Sequence, residues 1–141
     1  MTRLLCGAAL FALALGLAGC KTKKPPKEST PAAPAATVTA GDLLKEYSGN
    51  ALGADAKFKG KVLQVTGKFS SVQKTLLVYT LQLMPEDAGD LNTSMVVCTL
   101  TEEGQAAAAQ LQPGQKVTVQ GTCEGQLIPG QVRMSQCRVA Q

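Results

Sequence analysis

Residues 61–72 read KVLQVTGKFSSV, and residues 116–123 read KVTVQGTC. Apolar and polar residues alternate from Leu63 to Gly67 and again from Val117 to Gly121. Alternation with a period of two predicts a β-strand that buries one face. A glycine inside a strand permits the bend or bulge that a small barrel needs in order to close. We interpret the shared pattern as similar strands, because so short a match does not indicate an internal repeat.

Further elements are predicted on both sides of these strands. Four consecutive alanines followed by Pro113 and Gly114 indicate a helix with a defined end. The predicted elements, in order, are a short amphipathic helix at 41–47, a polar turn region at 50–60, strands at 61–72, 75–84 and 93–100, a helix at 102–111, and strands at 116–123 and 131–139. Three strands, a helix and two more strands predict a mainly β OB-fold, a five-stranded Greek-key barrel with its helix between strands three and four.

Several short motifs in this region resemble one protein family. They are Asn50-Ala51, Ala54-Asp55, residues 57–61, 65–67, Val97-Cys98, residues 114–119, 121–123 and Cys137. Together they resemble the tRNA-anticodon-binding-like OB-fold proteins, many of which are small bacterial lipoproteins. The resemblance extends from Leu43 to Val139 and implies the fold. It implies no activity and identifies no functional residue.

The N-terminus carries an export signal. Arg3 precedes a nearly unbroken apolar run to Ala18, which predicts a signal peptide over residues 1–19. The run of about 15 residues is shorter than the ~20 that a membrane-spanning helix needs. The segment 17–20, LAGC, resembles the lipobox of bacterial lipoproteins, which implies cleavage before Cys20 and its acylation, including by palmitate. A secreted protein with a free Cys20, or an uncleaved short anchor, remains an alternative.

Residues 20–40 are predicted to be a disordered tether. Residues 21–40 contain four prolines and four lysines but only Val38 as a large apolar residue. Such a segment buries too little apolar surface to offset the conformational entropy lost on ordering. The folded domain is predicted at 41–141. By resemblance to enterobacterial sorting rules, Lys21 rather than Asp after the lipidated cysteine would favour the outer membrane, facing the periplasm, in a host with two membranes. Which membrane and leaflet, and the oligomeric state, stay open.

The composition disfavours an enzyme. The 141 residues contain no histidine, which removes the usual general base and any Ser/His/Asp or Cys/His arrangement. Zinc would find at most three thiols in the domain and no histidine. We therefore predict a non-catalytic binding or interaction module with no cofactor and no metal.

Three cysteines remain in the predicted domain, Cys98, Cys123 and Cys137. In an oxidising compartment they predict one disulfide and one spare thiol. Cys123 and Cys137 lie symmetrically about Gly130, so a simple hairpin would place them opposite one another and favours that pair. A pair between Cys98 and Cys137 is the alternative, and a bulge near Ser135 or Gln136 would shift the register. A thiol-redox enzyme is a further hypothesis, and it requires an accessible Cys98 with a low pKa.

A group of lysines provides the remaining candidate site. Lys57, Lys59, Lys61, Lys68 and Lys74 lie between Ala56 and Pro85 with no acidic residue among them. They predict either a patch for an anionic glycan or phosphate, or a solvated face. The candidate partners are the membrane, through the lipid on Cys20, and an envelope protein or anionic glycan.

Nucleic acid is disfavoured on three counts. Residues 41–141 carry nine basic and nine acidic side chains and so have no net charge. They contain few aromatic residues on which bases could stack, and export would remove them from the cytoplasm. A single-stranded nucleic-acid-binding OB-fold protein is kept as the alternative function.

Overall fold

The computed structural model describes residues 33–87 and 93–140. Its elements are β1 (Ala36–Thr39), α1 (Ala40–Gly49), α2 (Ala51–Phe58), β2 (Val62–Thr75), β3 (Val78–Met84), β4 (Met95–Leu100), α3 (Glu102–Ala108), β5 (Lys116–Ile128) and β6 (Gln131–Ala140). The predicted signal peptide, Cys20 and most of the predicted tether lie outside the described residues.

The strands β2 to β6 form a closed barrel. Neighbouring strands follow the order β2, β3, β4, β6, β5, and β5 pairs again with β2. Closure depends on the length of β2, because residues 62–68 pair with β5 while residues 68–75 pair with β3. The helix α3 lies between the third and fourth barrel strands in chain order. The predicted OB-fold is therefore confirmed.

Strand β1 lies inside the range predicted to be tether. Residues 36–39 run parallel to β2, with Ala36 opposite Leu63, and the Ala35 N–H donates to the Val62 carbonyl at 2.7 Å. The prediction of disorder is wrong for these four residues, because backbone pairing with the free edge of β2 orders them without large apolar side chains. Thr39 then caps α1, since its hydroxyl accepts the Asp42 N–H at 3.0 Å.

The region 50–60 was predicted to be a polar turn, and most of it is the helix α2. The Asn50 side chain accepts the Gly53 N–H at 3.0 Å and caps the helix. Ala54 and Phe58, four residues apart, bury one face. The interpretation as a turn was wrong because the helix is short and its glycine hides the pattern. The predicted helix at 41–47 is confirmed as α1.

Alternate residues of the barrel strands point inward and form the core. Fully buried residues of this kind include Leu63 and Val65 on β2, Leu81 and Leu83 on β3, Val96 and Cys98 on β4, Val119 on β5, and Val132 and Met134 on β6. Helix α1 adds Leu43 and Tyr47, and the Tyr47 and Phe58 rings lie 6.5 Å apart between centroids. The outward positions of the same strands therefore face away from this core.

The predicted bulge near residues 135–136 is confirmed on β6. Gln136 has a φ of 50°, and the register between β5 and β6 shifts between Gln120 and Thr122, beside this residue. The extra residue turns Cys137 inward, where it is fully buried. It lies against Gly121, so the second of the two strand glycines is at a bulge, as predicted.

The bulge also changes the cysteine arrangement. Cys123 lies opposite Met134, so the prediction that it faces Cys137 is wrong. The symmetric spacing about Gly130 fails because register shifts interrupt the hairpin. Cys98, Cys123 and Cys137 are all buried and carry free thiols in this structure.

Candidate ligand groove on the barrel face

A groove of about 410 Å³ crosses the outer face of β3 and β4. These strands run antiparallel, with Thr80 opposite Thr99 and Gln82 opposite Val97. Because inward and outward side chains alternate, these four residues point out of the barrel and form the floor together with Gln131. Strands two and three of the barrel, with the flanking loops, are where OB-folds bind extended ligands.

The floor is mostly polar and carries no charged side chain; Val97 is its apolar member. The Ser71 hydroxyl donates to Gln82 Oε1 at 3.2 Å, and the Thr80 hydroxyl donates to the Gln73 carbonyl at 3.4 Å. These bonds hold the side chains in place while leaving lone pairs and amide protons for a ligand. Arg133 is the charged residue on the lining, and its Nε lies 3.9 Å from Glu124 Oε2. The described lining residues include no aromatic ring on which a base or sugar could stack.

Two apolar hairpin tips lie beside the floor. The β2–β3 tip consists of Leu76 and Leu77, which are 89% and 90% exposed. The β5–β6 tip consists of Leu127 and Ile128, which are 66% and 52% exposed. Leu76 and Leu127 both line the groove, so the two tips meet on one surface. Neither tip is predicted as a site from the sequence, because Leu76 and Leu77 fall in the predicted strand 75–84 while Leu127 and Ile128 fall in the connection between the last two predicted strands. The only sequence signal of each tip is a pair of large apolar residues.

The five predicted lysines lie elsewhere. Lys57, Lys59 and Lys61 are grouped at the end of α2, whereas Lys68 and Lys74 lie along β2. Their local contacts are as follows: Lys57 pairs with Glu46 at 3.1 Å, Lys59 pairs with Asp55 at 3.6 Å, Lys61 donates to the Lys57 carbonyl at 2.6 Å, and Lys74 lies 5.2 Å from the centroid of the Tyr79 ring. The structure brings three of the five together, and none of the five lines the groove.

A second cavity of about 750 Å³ lies between α3 and the bend of β2. Phe69, Tyr79 and Leu111 contribute to its largely apolar lining, with Glu102 and Gln105 as polar members. It offers fewer converging hydrogen-bonding groups than the groove. We therefore assign the candidate site to the groove.

The buried thiols are unsuited to redox catalysis. Cys98 is fully buried, so the accessible thiol that the redox hypothesis requires is not present at this position. A hydrogen bond with the Cys98 thiol, together with burial, raises the pKa of Cys137. Burial, together with a hydrogen bond to Cys123 at 3.5 Å, raises the pKa of Tyr47. All three observations favour neutral, unreactive groups.

The raised pKa values predict a loss of stability in alkali. An acid whose pKa is higher in the fold keeps its proton after the unfolded chain has released it, so its contribution is complete below the ordinary pKa and is lost above it. The loss begins near 9.0 for Cys137 and near 10.0 for Tyr47. For Cys137 we expect about 1.4 kcal/mol per pH unit. Urea unfolding from neutral to alkaline pH measures how the free energy of unfolding changes with pH. Cys137→Ala should remove the loss of stability that begins near 9.0. An unfolding midpoint that stays constant with pH would contradict the prediction.

Two further findings concern the part of the chain that the structure describes. Within residues 33–87 and 93–140, no helix has the length and apolar character needed to cross a membrane. In the same ranges, His, Cys, Asp and Glu side chains form no group of three or more that could hold a metal ion.

A closed five-stranded barrel with a helix after its third strand, and a groove between two hairpin loops, defines an OB-fold domain. The chain belongs to the tRNA_anti-like family, whose model matches residues 3–138. This match confirms the family resemblance seen in the sequence. No curated protein matches the chain significantly.

The chain is also similar to several solved structures. A Klebsiella pneumoniae protein named a "putative nucleic acid-binding lipoprotein" superposes with a TM-score of 0.62 at 14% identity, over 74% of this chain and 91% of that chain. The Stn1-Ten1 complex of S. pombe gives a TM-score of 0.41 at 13% identity, over 57% and 58%. Asparaginyl-tRNA synthetase from Pyrococcus horikoshii gives 0.43 at 19% identity, over 60% and 21%. At these identities the likeness concerns the fold alone.

Proposed function

We propose that this protein is a lipid-anchored, non-catalytic binding module of the bacterial cell envelope. Cys20 carries the lipid, the following residues tether the domain, and the groove on β3 and β4 binds the ligand. In a host with two membranes the anchor is in the outer membrane and the domain faces the periplasm. The lipobox-like segment 17–20 supports the anchor, and the similar Klebsiella protein is itself named a lipoprotein.

The observation that carries the binding role is the composition of the groove. Its floor presents neutral hydroxyl and amide groups, and its two tips expose apolar side chains to solvent. Large apolar side chains exposed next to one another mark interaction sites, and here such pairs lie on both sides of the polar floor. Among its described lining residues, no cysteine or histidine is present to act as nucleophile or base, and the one charged residue is Arg133. The groove is therefore suited to holding a ligand rather than transforming one.

Single-stranded nucleic acid is the second candidate ligand. The similar Klebsiella protein has nucleic acid binding in its name, which favours this candidate more than the sequence alone did. Base stacking would have to occur outside the groove floor, and backbone contacts would depend on Arg133 and on lysines beyond the lining. An anionic glycan or phosphate is the candidate for Lys57, Lys59 and Lys61, where it would compete with Glu46 and Asp55 for two of the three cations.

The anchor is tested by comparing Cys20→Ala with the wild-type protein in its native host. We expect the wild type to carry acyl mass and to partition with membranes, because the lipid supplies the anchor. The variant should lose both properties. Cys6→Ala is the matched control, since it also replaces a cysteine in the N-terminal region and should behave as wild type. A wild-type protein that is unacylated and still begins at Met1 would contradict the proposal.

Nucleic acid is tested separately with a fluorescent oligo(dT) and the acylated protein in detergent. A nucleic-acid module should bind with an affinity that falls steeply as salt is added. The proposal of a protein or glycan ligand predicts weak binding with little salt dependence. Tight, salt-sensitive binding would make nucleic acid the ligand class.

A further inference from the structure

The β2–β3 tip carries two unfavourable features at once. Thr75 and Val78 pair with each other, so Leu76 and Leu77 form a two-residue turn. Leu76 has a φ of 57°, a conformation that glycine or asparagine adopts readily and that a leucine adopts only at a cost. Both side chains are about nine-tenths exposed. Neither side-chain burial nor a favourable backbone conformation at this turn stabilises the fold. This indicates that the leucines contact something outside the domain.

The same surface has a second apolar tip. Leu127 and Ile128 end β5, immediately before the turn at Pro129 and Gly130. Leu127 lines the groove together with Leu76 and Val78. A ligand lying across β3 and β4 would therefore meet apolar side chains at both tips and neutral polar groups between them.

The charge and chemistry of the groove select among possible ligands. A polyanion would find Arg133 as the one cation among the described lining residues, with Glu124 3.9 Å away, and a planar ring would find no aromatic face there. An acyl chain would cover the hydroxyl and amide groups of the floor without satisfying them. An extended polypeptide meets both demands, because its backbone donates and accepts hydrogen bonds while its side chains provide apolar contacts.

We infer that the groove binds an extended, uncharged polypeptide segment of a partner protein, and that Leu76, on the strained turn, is its principal apolar contact. This inference rests on the proposed binding role of the groove. The turn destabilises the fold, so a substitution that relieves it should raise stability and at the same time weaken ligand binding.

The test uses a random peptide library displayed on phage, selected on the acylated protein in detergent. Enriched peptides should be uncharged and rich in apolar residues. Leu76→Gly should raise the melting temperature by roughly 4 °C, because glycine relieves the left-handed backbone. The same substitution should weaken binding of the best peptide at least roughly tenfold, because it removes a central apolar contact.

A matched pair of variants controls for the loss of an exposed leucine. Leu127→Ala, on the groove lining at a side chain 66% exposed, should weaken binding of the peptide, whereas Leu52→Ala on α2, at a side chain 83% exposed, should not. Absence of enriched peptides, or peptides that bind all variants equally, would overturn the inference.

Two other probes separate this inference from the proposed function. Anionic phospholipid vesicles bound by Cys20→Ala, which lacks the lipid, but not by the same chain with Leu127→Ala added, would make a membrane the occupant and overturn the polypeptide. If the wild type binds oligo(dT) and Thr80→Ala does not, the groove remains the binding site and only the inference of a polypeptide ligand is overturned. If neither probe nor any peptide binds, the binding role itself fails.

Discussion

Replacing Gly121 with alanine is expected to destabilise the protein by about 3 kcal/mol or more, because overpacking in a closed core forces the backbone to move. A Cβ at this position would lie 2.5 Å from Cys137 Sγ and 2.8 Å from the Ser135 carbonyl oxygen. The first neighbour belongs to a short, fully buried side chain and the second is a backbone atom, so neither can move aside without a large cost in free energy. Gly121 is thus required where β5 passes under the bulge of β6.

Urea unfolding of Gly121→Ala measures this effect, and a second substitution identifies its cause. Cys137→Ala removes the sulfur but leaves the Ser135 carbonyl in place. Gly121→Ala combined with Cys137→Ala should therefore be less destabilised than the sum of the two single variants, by about 1 kcal/mol for groups in contact. Additive effects would show that the sulfur does not limit the site. An unfolding midpoint equal to that of the wild type would contradict the packing described here.

Replacing Gly104 with alanine is the second change with a large expected effect. The new Cβ would lie 2.5 Å from the Cys137 carbonyl oxygen and 3.1 Å from the Cα of Arg138. Both neighbours are backbone, so α3 would have to move away from β6. Thr101 holds the same carbonyl, since its N–H donates at 2.9 Å and its hydroxyl at 3.3 Å. We expect a loss of about 2 to 3 kcal/mol, although alanine favours helix by about 1 kcal/mol.

Gly49→Ala is the matched control for Gly104→Ala. Gly49 is also helical, at the end of α1, and a Cβ there would meet nothing within 4 Å. Its replacement should leave stability unchanged or raise it by up to about 1 kcal/mol. Hydrogen exchange should also show earlier opening of residues 102–108 in Gly104→Ala. If the two variants respond alike, helix propensity rather than the contact with β6 decides the outcome.

The sequence was informative wherever structure follows from local pattern. The alternation around Leu63 and Val117 predicts the two long strands, and Gly121 predicts the position of a bulge. Strand β1 could not be predicted, because residues 36–39 are ordered by pairing with an edge that exists only in the folded barrel. The cysteine pairing failed for a similar reason, since the register shifts between β5 and β6 follow from closure of the barrel.

The groove could not be predicted because distant segments form it. Leu76 and Leu127 lie about fifty positions apart in the chain, and only the pairing of β3, β4 and β6 brings their hairpins to one surface. The five lysines are close in sequence, which favoured a shared anionic site, yet Lys57 and Lys59 form ion pairs with Glu46 and Asp55. The Leu-Leu turn is conspicuous only when its backbone angle and its exposure are known.

The central claim, that the β3–β4 face is where a partner binds, is tested most directly by photo-crosslinking in the native host. A photoreactive residue is placed at Gln82 on the groove floor and, as the control, at Ala56, which is exposed on α2. We expect one discrete, protease-sensitive adduct from position 82 that is lost when Leu76→Gly is added, and none from position 56. Equal adducts from both positions, no adduct from position 82, or an adduct removed by nuclease would contradict it.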